Sequence, residues 1–284
     1  MSFPLNPDLH SHSTVSDGTL APEQLAARAS ANGVDLWALT DHDEISGQAR
    51  AQAAARAAGI RYLTGVETSV TFADTTVHIV GLGFDPDDPQ LIAGLAATRS
   101  GRNARAQAMA ARLDQLGIPG AYAGALPYAG NPELIGRTHF ARYLIQAGVC
   151  RDTAEVFRKY LGEGKPAYVP HQWARLSDAV RWITWAGGVA VIAHPARYNL
   201  TPTAEYALFT EFKAHGGQGV EVVTGGHTPA QARQYAAMAR EFNLAASRGS
   251  DFHNPQDDKC DLGQLAPLPH DLTPVWALLA ERIQ

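Results

Sequence analysis

The chain has 284 residues, 45% of them hydrophobic and 18% charged, enough apolar material for one large core or two modest ones, which excludes a disordered, fibrous or small stapled protein. Lys and Arg number 23 against 28 Asp and Glu, and the formal charge of -5 argues against a broad grip on duplex nucleic acid while leaving room for a local basic pocket. Cys150 and Cys260 form no CxxC pair, the opening MSFPLNPDLHSHS carries no basic or apolar leader, and no run nears the roughly 20 apolar residues of a membrane span, so a cytoplasmic protein is expected.

Short apolar runs alternate with Ala-rich helical patterns, which predicts an α/β fold with a mostly parallel sheet. A strand over 5–9 leads to a helix over 22–31, with Pro22 suited to a first turn and Gly33 just past the end. A strand over 34–39, a helix over 46–58 stopped by Gly59, and strands over 60–66 and 76–82 follow. From 88 to 165 the period is helical: a helix over 89–116, a Gly/Pro/Ala/Tyr-rich loop over 117–132, and helices over 137–146 and 153–160. This stretch reads as an insertion, giving a barrel of 1–87 and 166–284 and a helical lobe of 88–165. Alternation resumes with helices over 177–186, 204–214 and 229–242 and strands over 189–193, 219–223 and 244–246. Seven strands with interleaved helices suggest an irregular barrel.

Ligand-type side chains fall at the C-terminal ends of the expected strands, in DLHSHS (8–13), TDHD (40–43), GVE (65–67), AHP (193–195) and SDFH (250–253). In an α/β barrel that rim is where chemistry is assembled. His10 and His12, two apart on extended backbone, point to the same side as one metal ion requires, and Asp251 and His253 repeat the spacing. His78 lies between Val77 and Ile79 within a strand, where an imidazole facing a core needs a partner. Any one of these alone would more often be an ordinary structural histidine. The combination of His10, His12, Asp17, His42, Glu67, His78, His194, Asp251 and His253 is hard to obtain by independent accidents and predicts metal ligation. Imidazole with carboxylate and no thiolate suits zinc, manganese or iron better than copper.

These blocks, in order through nearly the whole chain, resemble the polymerase and histidinol phosphatase (PHP) family, which is related to the amidohydrolases. The resemblance implies a distorted (β/α)7 barrel with an inserted helical lobe and two to three divalent metals, manganese foremost and zinc or iron as alternatives, that hydrolyse phosphoesters. Carried over position by position, His10, His12, Glu67 and Asp251 resemble the ligands of a first metal. Glu67 would bridge to a second held by His78 and His194, and Asp17, His42 and His253 would hold a third. The segments IGRTHFAR and EGKPAYVP are similar to members that remove the 3'-phosphate of nucleoside 3',5'-bisphosphates, some of which also degrade short RNA from the 5' end. That similarity implies Arg137 and His139 as catalytic and substrate-binding residues, with Lys165 and His171 as further substrate contacts. Arg99, Arg102 and Arg105 recur every third residue, a spacing that fits a solvated, ion-paired helix face better than a cleft wall.

The expected chemistry is attack on phosphorus by activated water, with Arg137 taking developing charge and His139 or water protonating the leaving oxygen. Two other readings compete: a histidinol-phosphate phosphatase, for which the lobe gives no specific reason, and a non-catalytic PHP metal module, disfavoured because no ligand is missing. The expected partner is a nucleotide, with short RNA as a further substrate and neither duplex DNA nor a membrane.

Overall fold

β-Branched and leucine-rich runs become strands, and the Ala-rich segments between them become the helices that cover those strands. The computed structural model describes residues 6–256 and 260–284. Its strands are β1 (Pro7–Asp8), β2 (Leu36–Leu39), β3 (Arg61–Phe72), β4 (Thr75–Leu82), β5 (Ala174–Arg175), β6 (Val189–Ile192), β7 (Gly219–Thr224) and β8 (Ala245–Gly249). Leu5, where the first strand was expected to begin, lies outside the described residues. The sheet order is β1-β2-β3-β4-β6-β7-β8, with the short β5 beside β3. All pairs are parallel except those of β4, which runs antiparallel to both β3 and β6. The two edges meet where Leu9 N–H donates to the Arg248 carbonyl at 3.0 Å and Asp251 N–H to the His10 carbonyl at 2.8 Å. The seven strands thus curl into a nearly closed barrel.

Strict β/α alternation fails at one place, which is the distortion. β3 and β4 form a hairpin, paired from Gly65↔Leu82 to Phe72↔Thr75, with only Ala73 and Asp74 in the turn. The polar stretch Thr68–Phe72 was not expected as strand; it is extended because β4 supplies the partner for every position.

Period-two alternation sorts the strands' side chains. Leu36 and Ala38 pack inside with Leu9, Leu63, Val80 and Val191, above Trp276 and Leu279 of the C-terminal segment. Trp37 and Leu39 pack with Leu25 and Ala29 of α1 (Pro22–Ala31) and Ala51 and Ala55 of α2 (Gln48–Ala57). The opposite flank is covered by α8 (Leu176–Trp185), α9 (Pro202–Ala214) and α10 (Pro229–Glu241), whose Ile183, Phe209 and Ala236 join Val70, Ile79 and Val222.

Between β4 and β5 lie α3 (Pro89–Arg99), α4 (Arg102–Gln115), α5 (Ala121–Ala125), α6 (Arg137–Gln146) and α7 (Thr153–Val156), the last running into a π turn at Phe157–Leu161. The single helix expected over 89–116 is two. It breaks at Ser100 and Gly101, and α4 starts where the chain passes close to His171, a Cβ at Gly101 lying 2.1 Å from that ring. The break also separates two cores. Leu91 and Leu95 of α3 pack with the barrel, whereas Ala106, Met109 and Leu113 of α4 pack with Phe140, Leu144 and Val156 in a second core. α5 was expected as loop; its small residues are helical because Ala121 and Ala125 are buried against that second core.

Candidate metal centre and cleft

The nine residues singled out as ligands converge on one rim. Glu67, fully buried in the middle of β3, is the hub. Its Oε1 lies 3.4 Å from His10 Nε2, 2.9 Å from His78 Nδ1 and 2.8 Å from His194 Nε2; its Oε2 lies 3.2 Å from His12 Nε2 and 2.9 Å from His42 Nδ1. Asp251 Oδ1 is 3.3 Å from His10 Nε2 and 3.2 Å from His12 Nε2. Asp17 Oδ1 is 3.4 Å from His253 Nε2, and its Oδ2 is 3.8 Å from His42 Nε2. Three groups each present ligand atoms within 4.8 Å of one another: His10, His12, Glu67 and Asp251; His42, Glu67 and His78; and His12, Asp17, His42 and His253. His194 stands beside the second group through Glu67.

Backbone geometry serves this convergence. Asp43, His194 and Asp251 adopt φ of 51°, 25° and 57°, positions that side-chain-bearing residues seldom take and that the surrounding hydrogen bonds must hold. Gly249 ends β8 against His10, and a Cβ there would stand 2.3 Å from that of His10, so only glycine lets the two chains approach. Behind the rim, Glu221 accepts from His10 Nδ1 at 2.7 Å and from the His194 backbone N–H at 2.6 Å, orienting the His10 imidazole and pinning the backbone of His194 from within β7. Asp41 accepts from Ser13 N–H, Ser13 Oγ and Ser16 Oγ, and Asp43 from Ser69 N–H and Oγ, which ties down the loops that carry Asp17 and His42.

The donor set fits divalent cations. His12 Nδ1, Asp17 Oδ1, His194 Nδ1, and the pair His42 Nδ1 and Glu67 Oε2 are buried without a hydrogen bond, an arrangement that is costly unless a cation answers it. Burial alone would push the Glu67, Asp17 and Asp251 carboxyls up. Neighbouring side chains outweigh it: the His78 and His42 imidazoles for Glu67, His253 and His42 for Asp17, and Arg197 and His10 for Asp251, so all three are held well below the ordinary range. Conversely, burial opposes protonation of His10 and His12, but Glu221, Glu67 and Asp251 draw His10 well above its usual value, and Asp251 and Glu67 draw His12 up to about 10. His194 goes the other way, to about 4, through burial and the Arg197 charge.

A cavity of about 210 Å³ opens over these residues, walled on the far side by Arg102, Arg105, Arg137 and Trp173. Arg137 lies over the Phe157 ring (5.6 Å) and the Tyr168 ring (5.8 Å), and Arg102 and Arg105 lie over Trp173 at 4.7 and 5.3 Å. Burial, with Arg137 and Arg102 nearby, depresses Arg105 to about 10. Crowded cations held out of water form a natural anion site. Arg102 and Arg105 correct the expectation of a solvated helix face: both are buried, because α4 starts at the cleft and Arg102 pairs with Asp43 beneath it.

The other substrate candidates lie elsewhere. His139 is fully buried, accepts from Gly136 N–H at 3.0 Å through Nδ1 and donates to the Ser16 carbonyl at 3.2 Å through Nε2. With both ring nitrogens on backbone and its pKa lowered to about 4 by burial, it does not face the cleft and is not placed to protonate a leaving group. Lys165 is exposed in a turn and does not line the cavity. His171 packs behind the wall, its ring 4.3 Å from that of Trp173. Arg197, which pairs with Asp251 and lines the cavity, was missed, as was Glu221. An acidic residue inside the apolar run GVEVV was the one available signal for Glu221; nothing in AHPAR singles out its arginine.

Residues 8–161 match the model of the PHP domain. The chain belongs to the PHP family. It is 50% identical to the 3',5'-nucleoside bisphosphate phosphatase of Chromobacterium violaceum over 98% of each chain, and 43% identical to a 5'-3' exoribonuclease of Haemophilus influenzae over 95% of this chain and 97% of the relative. Among solved structures, an amidohydrolase from Chromobacterium violaceum with bound sulfate and no metal superposes with a TM-score of 0.94 at 50% identity, covering 98% of this chain and 97% of that one. A candidate metal-dependent phosphoesterase of Bifidobacterium adolescentis gives 0.81 at 27% identity over 98% of both. The PHP rim here therefore sits on a barrel shared along the full chain. Among the described residues, no helix is long and apolar enough to cross a membrane.

Proposed function

We propose that this PHP protein is a metal-dependent phosphoesterase that removes the 3'-phosphate of nucleoside 3',5'-bisphosphates, leaving the 5'-monophosphate, and that it also degrades short RNA from the 5' end. The observation that carries the reading is one small cleft with a carboxylate and imidazole cage on one side and buried arginines on the other. The bisphosphatase at 50% identity and the exoribonuclease at 43% support it. An arginine wall suits a substrate with a second anion and opposes a cationic amine such as histidinol phosphate. Residues 88–165 serve as the lobe that caps the barrel, and the site of action is the cytoplasm.

In this reading His10, His12, Glu67 and Asp251 hold one ion, Glu67 with His78 and His194 a second, and Asp17, His42 and His253 a third, with manganese as the working ion. Bound there, divalent ions supply Lewis acidity to the phosphoryl oxygens and lower the pKa of water to about 7. Glu221 keeps His10 in one tautomer, because its carboxylate can only accept from Nδ1. Arg197 neutralises Asp251 from the outside and presents its exposed edge to the cleft. Arg137 lies above the cage as a fork for the scissile phosphate, and Arg105 and Arg102 offer charge to the remote one.

The test is phosphate release with manganese from a 3',5'-bisphosphate, the matching 3'- and 5'-monophosphates, histidinol phosphate and short RNA. The bisphosphate is expected to have the highest kcat/KM. Equal values for bisphosphate and 3'-monophosphate would remove the second anion site, and preference for histidinol phosphate would replace the reading.

A further inference from the structure

Besides the packing of Leu91 and Leu95 of α3 on the barrel, the helical lobe grips the two loops that carry Asp17 and His42. On α6, Thr138, His139 and Arg142 share one face, since residues three and four apart are neighbours on a helix. All three hold the segment 16–18. Thr138 Oγ1 donates to Asp17 Oδ2 at 2.9 Å, His139 Nε2 to the Ser16 carbonyl at 3.2 Å, and Arg142 to the carbonyls of Asp17 and Gly18. At the junction of α3 and α4, Arg99 donates to the Asp43 carbonyl at 2.6 Å and Arg102 pairs with the Asp43 carboxylate, one residue from His42. The group formed by His10, His12, Glu67 and Asp251 has its support from the barrel instead, with Glu221 on His10 and Arg197 on Asp251.

We infer that seating of the lobe and binding of a divalent cation at the Asp17, His42 and His253 group are one coupled event, with Thr138 as the positioning residue that joins them. The inference rests on the metal reading above. Thr138 occupies Oδ2 and fixes the carboxylate plane, so that Oδ1, buried and without a hydrogen bond, is turned towards His253 Nε2 at 3.4 Å. Without the hydroxyl the carboxylate regains rotation, and the cation must order it. Coupling of this kind is reciprocal. A cation that holds Asp17 stiffens the segment that α6 grips, and with it Arg137, the first residue of that helix and part of the cleft wall. The third ion and the phosphate fork are then assembled together, while the first group can load with the lobe displaced.

Two measurements on full-length, chelator-treated protein test this without substrate. In a calorimetric titration with manganese, Thr138→Val should weaken one equivalent about tenfold and leave the others unchanged, and Thr138→Ser should restore it. In wild-type protein, hydrogen exchange of the amides at 136–142 should slow when manganese is added, a readout that stands even if the valine variant fails to fold. Unchanged affinity in a folded Thr138→Val, a loss spread evenly over every equivalent, or manganese uptake without slower exchange at 136–142 would each overturn the coupling alone. No manganese uptake by wild-type protein would overturn the metal reading itself.

Discussion

Arg137 shows how much one side chain's surroundings add to its identity. Its guanidinium lies over Phe157 and Tyr168, and burial lowers its pKa, so its charge is poorly hydrated and available to a ligand. Losing one charge-assisted hydrogen bond costs roughly 1.5 to 3 kcal/mol. Arg137→Ala should therefore lower kcat/KM on the bisphosphate by about one to two powers of ten with manganese content unchanged; full activity in that variant would assign the fork to Arg105 or Arg102. His139, two residues further on, was expected in the same role and has the opposite one. A helix turns about 100° per residue, which carries its ring away from the cleft into the joint between lobe and barrel.

The β3–β4 hairpin replaces the helix that a regular barrel would place there, and it brings His78 of an antiparallel strand to the same rim as the parallel strands' ends. Its turn is locally unfavourable: Ala73 and Asp74 have φ of 46° and 60°, the pattern for which Asn-Gly is preferred. Left-handed backbone costs about 1 kcal/mol or more for an ordinary residue. The double change Ala73→Asn and Asp74→Gly should thus stabilise the protein by about 1 kcal/mol and raise Tm by about 2 °C. A lower Tm would mean that the present side chains have contacts worth more than the turn preference.

The joint between lobe and barrel should also register in the pH dependence of stability. His139 is buried and neutral, with a pKa of about 4 set by burial and by Arg142 and Arg102, against the opposing pull of Asp17. Unfolded, the same imidazole titrates near about 6.5. Its contribution to stability is therefore fully present above about 6.5 and is lost as pH falls towards 4, by up to about 1.4 kcal/mol per pH unit. His139→Gln keeps an acceptor for Gly136 N–H, as glutamine does in a capping box, but cannot titrate. Its Tm should fall less steeply between pH 6.5 and 4 than that of the wild type, and parallel curves would show that His139 is not held neutral.

Much of this was legible in the linear chain because it depends on local period and spacing. Helix bounds such as 22–31 follow from Pro22, alanine content and a following glycine, and the ligand-type residues announce themselves because imidazoles and carboxylates are out of place at the ends of apolar strands. The remainder required the folded chain. The close approach at Gly101 is to a ring 70 residues away in sequence; the length of β3 depends on its partner strand; and Arg102, Arg105, Arg197 and Glu221 acquire their roles only from what lies opposite them. The sequence by itself determined which residue types could bind metal and phosphate and on which strands they sit, since those follow from chemistry and periodicity. Only the tertiary structure decided which cations line the cleft and which histidine braces the lobe, because the direction of a side chain on an amphipathic helix is set by long-range packing that no local pattern records.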